Sequence, residues 1–155
     1  MDSGREAAVK LKEQHSQISE GIELFRVSLS YMGGKKAYSN IKKVIDFFNQ
    51  NVDAHFTYEE QDLFKIILAT GEPEIKQLVR ELQHEHIVIL AKYNELKNIA
   101  LKHGFSFQDE KVKDDFVALS KKIIGLILHH AQKEDEKLIP WLENKGMNMK
   151  LNFKG

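Results

Sequence analysis

The chain has no cysteine, two prolines and one tryptophan, and its 23 basic residues are balanced by 23 acidic ones. Each scarcity closes off a class of function. Without thiolates there is no zinc ribbon, iron–sulfur cluster or cysteine nucleophile. With a formal net charge of zero and the basic residues scattered among acidic ones, no electrostatic footprint for nucleic acid or an anionic membrane is present. No stretch approaches the roughly 18 apolar residues that a membrane span requires, and the opening MDSGREAAVKLKEQ carries no apolar signal core. The cytoplasm is therefore the expected location, with neither nucleic acid nor membrane as a partner.

What remains is a chain of 155 residues, 42% apolar and 30% charged, enough for one domain with a real core. Strand-like alternation is almost absent, so helix is the dominant expectation. Four long segments carry helical periodicity. The first is expected from about Arg5 to Tyr31, with Leu11, Ile18, Ile22, Phe25 and Leu29 as its apolar stripe, and it stops at Met32-Gly33-Gly34. The second is expected from Ser39, as N-cap, to Thr70, with Gly71 leaving the helix in the left-handed conformation. Pro73 suits the first turn of the third, which runs to about Lys102. The fourth is expected to open at Ser106, with Asp109 in a cap-like position, and to reach about Glu143, Pro140 bending or ending its last turn.

Helices of this length are roughly 40 to 50 Å long, and such short connections make consecutive helices antiparallel. The expected fold class is all-α: an up-down-up-down antiparallel four-helix bundle over residues 1–145, with 146–155 as a C-terminal tail. The chain also looks doubled. Leu11-x-x-x-His15 and His55-x-x-x-Glu59 in the first half match Leu82-x-x-x-His86 and His130-x-x-x-Glu134 in the second, with Leu63 and Leu138 continuing the match. Two pseudo-repeated helical hairpins are the natural reading.

Seven histidines are present, and their placement matters more than their number. Histidine and glutamate four residues apart share one helix face, so both can reach a single metal site. Periodicity points these faces inward. His130 follows Ile123 and Ile127 at the spacings by which His55 follows Phe48 and Val52; His86 sits among Val79, Leu82, Ile89, Leu90 and Tyr93; His15 lies between Leu11 and Ile18. Burying four imidazoles and two carboxylates would cost several kcal/mol per charged group without compensation. A metal supplies it. Imidazole with carboxylate suits iron, manganese or zinc, and glutamates from opposed helices can bridge two ions, leaving about one open position on each. An open position beside a redox metal implies a small ligand such as dioxygen, peroxide or nitric oxide.

The pattern H, HxxxE, H, HxxxE resembles the hemerythrin-like (HHE) cation-binding family over nearly the whole chain. LKEQHSQI, HFTYEEQDLF, LQHEHIVI and HHAQKEDEKLIPWL are similar to its four signatures. The resemblance implies His15, His55, Glu59, His86, His130 and Glu134 as ligands of two iron ions (Fe2+/Fe3+), bridged by Glu59, Glu134 and an oxo or hydroxo group. It also implies binding, sensing or scavenging of dioxygen, peroxide or nitric oxide, or the handling of iron. Oxygen-carrying members use a further histidine four residues after the one matched by His86; here that residue is Leu90. Their last motif is HxxxxD, which His130 and Asp135 also satisfy, so Asp135 is an alternate to Glu134.

Other residues have plainer readings. His84 shares its face with Arg80 and Glu81, and His129 with Lys133 and Glu136, so both are expected to face solvent or support a ligand; His103 is a helix-end residue. Glu60 is placed to hydrogen-bond a ligand imidazole. Tyr58, Tyr93 and Trp141 read as core residues or pocket walls. A ferritin-like oxidase needs two Glu-x-x-His motifs, and only Glu81-x-x-His84 is present. A di-iron oxidase or peroxidase is the enzymatic alternative, and a metal-free helical interaction module the other.

Overall fold

Apolar residues recurring every three or four positions give each of four segments one stripe to bury, and the structure buries all four stripes together. A computed structural model describes residues 3–30 and 37–144, and among them every regular element is helical. Helix α1 is Ser3–Leu29. Helix α2 covers 37–70 as three α stretches, Ala37–Phe47, Asp53–Tyr58 and Phe64–Thr70, joined by π turns at Phe48–Val52 and Glu59–Leu63. Helix α3 is Pro73–Lys102. Helix α4 covers 110–144, with a π turn at Glu134–Leu138 between Glu110–Lys133 and Ile139–Asn144. The expected end of the first helix at Tyr31, the Met32-Gly33-Gly34 stop and the 146–155 tail lie outside the described residues.

Helix ends follow local chemistry, in places differently from expectation. α3 closes as anticipated after Lys102: Gly104 and Phe105 take positive φ of 62° and 60°, and the Phe105 N–H reaches back to the Ala100 carbonyl at 2.8 Å. α4 opens at Glu110, not Ser106, because Asp109 is the working cap, its carboxylate accepting from the Lys111 N–H at 2.9 Å. Gly71 is not left-handed; it is extended, with φ −77° and ψ 161°. It is needed for space instead, since a Cβ there would lie 2.6 Å from both the Ile67 carbonyl oxygen and the Ile75 side chain. Pro140 does not end α4, which continues to Asn144. The π turn just before it widens the backbone where the missing donor and the pyrrolidine ring would disrupt a regular turn.

α1 packs on α2 and on the end of α4, and α3 packs on α4 and α2, so the four helices close a ring around a common interior. That interior has two apolar compartments. One holds Ile18, Phe25, Phe48, Val52, Ile89, Phe116 and Ile127, the other Leu11, Leu63, Phe64, Leu82 and Leu138. On every helix the histidines and glutamates of interest fall between a residue of one compartment and a residue of the other. His15 lies between Leu11 and Ile18, His55 and Glu59 between Val52 and Leu63, His86 between Leu82 and Ile89, and His130 and Glu134 between Ile127 and Leu138. A polar layer thus crosses the bundle inside an apolar sleeve.

Candidate metal centre

All six residues of that layer are buried: His15 is 8% exposed and His55, His86, His130, Glu59 and Glu134 are 2% or less. Both glutamates open a π turn, and in each case a backbone N–H bonds five residues back, from Phe64 to the Glu59 carbonyl and from Ile139 to the Glu134 carbonyl. π turns of this kind concentrate at functional sites, where the extra residue re-aims a helix face.

The four imidazoles turn the same edge inward. His15 Nε2 is 3.0 Å and His55 Nε2 3.3 Å from Glu134 Oε1. His55 Nε2 and His86 Nε2 each lie 3.1 Å from Glu59 Oε1, and His86 Nε2 lies 3.0 Å from His130 Nε2. His130 Nε2 is 3.6 Å from an oxygen of each carboxylate. The ligand atoms of His55, Glu59, His130 and Glu134 all fall within 4.8 Å of one another. Glu134 points into this cluster; Asp135, its side chain 53% exposed, does not.

The outer edge of each ring is held just as consistently. His15 Nδ1 donates to Asp135 at 2.7 Å, His55 Nδ1 to the Gln14 amide oxygen at 2.6 Å, His86 Nδ1 to Glu60 at 2.7 Å and His130 Nδ1 to Glu85 at 2.9 Å. With Nδ1 carrying the proton, Nε2 presents a lone pair to the centre, the tautomer a metal ligand requires. The four holders form a cycle: α1 supports the histidine of α2, α2 that of α3, α3 that of α4, and α4 that of α1. Each holder is the sequence neighbour of a central residue, Gln14 beside His15, Glu60 beside Glu59, Glu85 beside His86 and Asp135 beside Glu134.

Electrostatics inside this layer are severe. Burial pushes the Glu59 carboxyl up, but His55, His130 and His86 outweigh it and hold Glu59 well below the usual carboxylate range. Burial pushes His130 down, and its bonds to Glu59 and Glu85 more than reverse that, leaving its pKa raised. Burial and the neighbouring His55 lower His15. Hydrogen bonding to His130, and further to Lys133, outweighs burial and holds Glu85 at about 2. The second oxygens, Glu59 Oε2 and Glu134 Oε2, are buried with no hydrogen-bond partner among the described residues. A desolvated carboxylate oxygen without a donor is costly unless a cation sits beside it. Four inward Nε2 atoms with two such oxygens are a donor set that fits a metal.

Of the residues singled out in the sequence, the structure gathers His15, His55, Glu59, His86, His130 and Glu134 in one layer and puts Glu60 and Asp135 on the rim as histidine holders. His84 and His129 are exposed, and His103 caps α3. Tyr58 and Tyr93 are buried core residues, and Trp141 walls a surface groove with Ile75 and Leu78. Leu90 is half-buried and lines a groove of about 490 Å³ between α2 and α3, with His86 among its other walls. Periodicity alone missed Gln14 and Glu85, because neither lies on an apolar stripe. A signal existed: the two are 71 residues apart, the same offset as His15 and His86, and Glu60 and Asp135 share the 75-residue offset of His55 and His130.

A buried histidine–carboxylate layer inside a helical bundle defines a non-haem metal-binding class of protein. The hemerythrin HHE cation-binding domain model matches residues 7–142, and the chain belongs to that family. No curated protein and no solved structure matches it.

Proposed function

We propose that the chain binds two iron ions in this layer and uses them to bind, sense or scavenge a small ligand of the dioxygen, peroxide or nitric oxide kind. The observation that carries the reading is the donor set: four imidazoles whose Nε2 atoms face two carboxylates, the second oxygens of which have no hydrogen-bond partner among the described residues. His15 and His55 would hold one ion and His86 and His130 the other, with Glu59 and Glu134 shared between them. Bound iron would supply redox capacity and exchangeable coordination positions. The chain's own residues fix the tautomers and keep bulk water out with the apolar compartments on either side.

The reading includes an arrangement of the bundle. The order in which each helix meets the two apolar compartments alternates from α1 to α4, which supports an up-down-up-down course. The shared offsets of central residues, holders and the leucines at 63 and 138 support two pseudo-repeated hairpins. No described helix is long and apolar enough to cross a membrane, in keeping with a cytoplasmic protein.

Metal analysis and an optical spectrum of aerobically purified protein test the function. About two irons per chain are expected, with the near-ultraviolet charge-transfer bands of an oxo-bridged di-iron centre. Protein that takes up no iron after anaerobic incubation with ferrous salt would sink it.

A further inference from the structure

The four histidine holders are not equivalent. Three are carboxylates; the fourth, Gln14 behind His55, is a neutral amide. A carboxylate accepting from Nδ1 raises electron density at Nε2 and strengthens the metal bond, whereas an amide does so much less. By the 71-residue offset Gln14 occupies the place that Glu85 has behind His130. Glu85 is shared with Lys133 Nζ at 2.5 Å, which tempers its charge but fixes its position. Glu60 behind His86 is likewise fixed by the Gln83 amide at 3.0 Å.

Packing favours the same pair, although His55 also meets Phe56, tilted at 5.9 Å. The His86 ring stacks on Phe56 at 4.0 Å and on Phe64 at 5.5 Å, and His130 meets Phe56 edge-on at 5.3 Å, so this pair is clamped by aromatic rings. His15 is the most exposed of the four, and its holder Asp135 has a side chain more than half in water. A hydrogen bond to so exposed a partner competes with solvent and constrains the ring less.

Building on the metal-binding reading above, we propose that the two metal positions are unequal. The position facing His86 and His130 fills first and holds its ion tightest, and the one facing His15 and His55 is exchangeable, with Gln14 as the positioning residue that weakens it. The molecule thereby has one structural ion and one labile ion in a layer whose innermost ligands look nearly symmetric.

Anaerobic titration of metal-free protein with ferrous iron, in competition with a chromophoric chelator, tests this. Wild type should bind in two steps separated by tenfold or more. Gln14→Glu should tighten the weaker step about tenfold and leave the tighter one unchanged, while Glu60→Gln should weaken the tighter step by roughly 10- to 100-fold, the usual effect of losing such a partner. His15→Ala should keep one tightly bound iron. Two indistinguishable steps in wild type, or Gln14→Glu acting on the tighter step, would overturn the inequality while leaving iron binding intact. Absence of any iron binding by wild type would instead remove the metal reading beneath it. Circular dichroism of each variant separates these effects from unfolding.

Discussion

At the scale of single residues, function in this layer depends on which edge of an imidazole faces which partner. His55 and His130 have both edges engaged, Nε2 toward the carboxylates and Nδ1 toward a holder on another helix. His84 and His129, one or two positions from central residues in sequence, are exposed. Substituting His55 or His130 by alanine should therefore lower the metal content of purified protein, and His84→Ala and His129→Ala should leave it near wild type. Metal analysis of the four variants checks this; a loss from His84→Ala equal to that from His55→Ala would mean that the face of α3 has been misassigned. The holders belong to the same scale. Glu60 was expected as the neighbour of a central glutamate; Gln14 and Glu85, off the apolar stripes, were marked in the sequence only by their shared 71-residue offset, and the ring each one holds is known only when the helices are placed.

At the scale of the element, the long helices are shaped by exceptions to regular geometry. The π turns that begin at Glu59 and Glu134 allow α2 and α4 to present histidine and glutamate to the centre and still return a leucine to the compartment of Leu11 and Leu82, Leu63 in one and Leu138 in the other. Where helices meet, a missing side chain can matter as much as one present. A Cβ on Gly21 of α1 would fall 2.0 Å from the buried Phe47 ring of α2. Alanine ordinarily favours a helix over glycine by about 1 kcal/mol, but overpacking a core contact costs about 1 to 3 kcal/mol. Gly21→Ala is thus expected to destabilise the bundle by ~1 kcal/mol, readable as a lower urea midpoint at unchanged slope. An increase in stability would show that Phe47 moves aside freely.

At the scale of the whole molecule, the polar layer is where folding and the proposed metal binding meet. The unpaired Oε2 atoms and four buried rings leave the layer poorly compensated without metal. A ligand present at a thousandfold excess over its dissociation constant stabilises the fold by about 4 kcal/mol. For a chain of this size, that corresponds to a melting temperature lower by roughly 10 °C after chelation. Thermal unfolding followed by circular dichroism, with and without chelator, measures it; metal-free protein as stable and as helical as the loaded form would argue against a buried site.

The sequence by itself determined the helical class, because apolar spacing near 3.6 residues and two well-placed HxxxE pairs leave few alternatives. It also determined which six residues share the inward stripes, since a stripe is a property of one helix. Helix ends were less legible. Asp109 and Ser106 both offer capping chemistry, and Gly71 suits a left-handed turn as well as a tight approach, so only the neighbours Ile67 and Ile75 decided between space and backbone twist. The tertiary structure alone decided how the four stripes meet. It alone made Glu134 a central carboxylate and Asp135 a rim partner, and it alone closed the cycle in which each helix holds a histidine of the next. The physical reason is that hydrophobic periodicity is local and repeats along one chain segment, whereas a hydrogen bond from Nδ1 to an acceptor on another helix depends on register and rotation between segments, which no single stripe encodes.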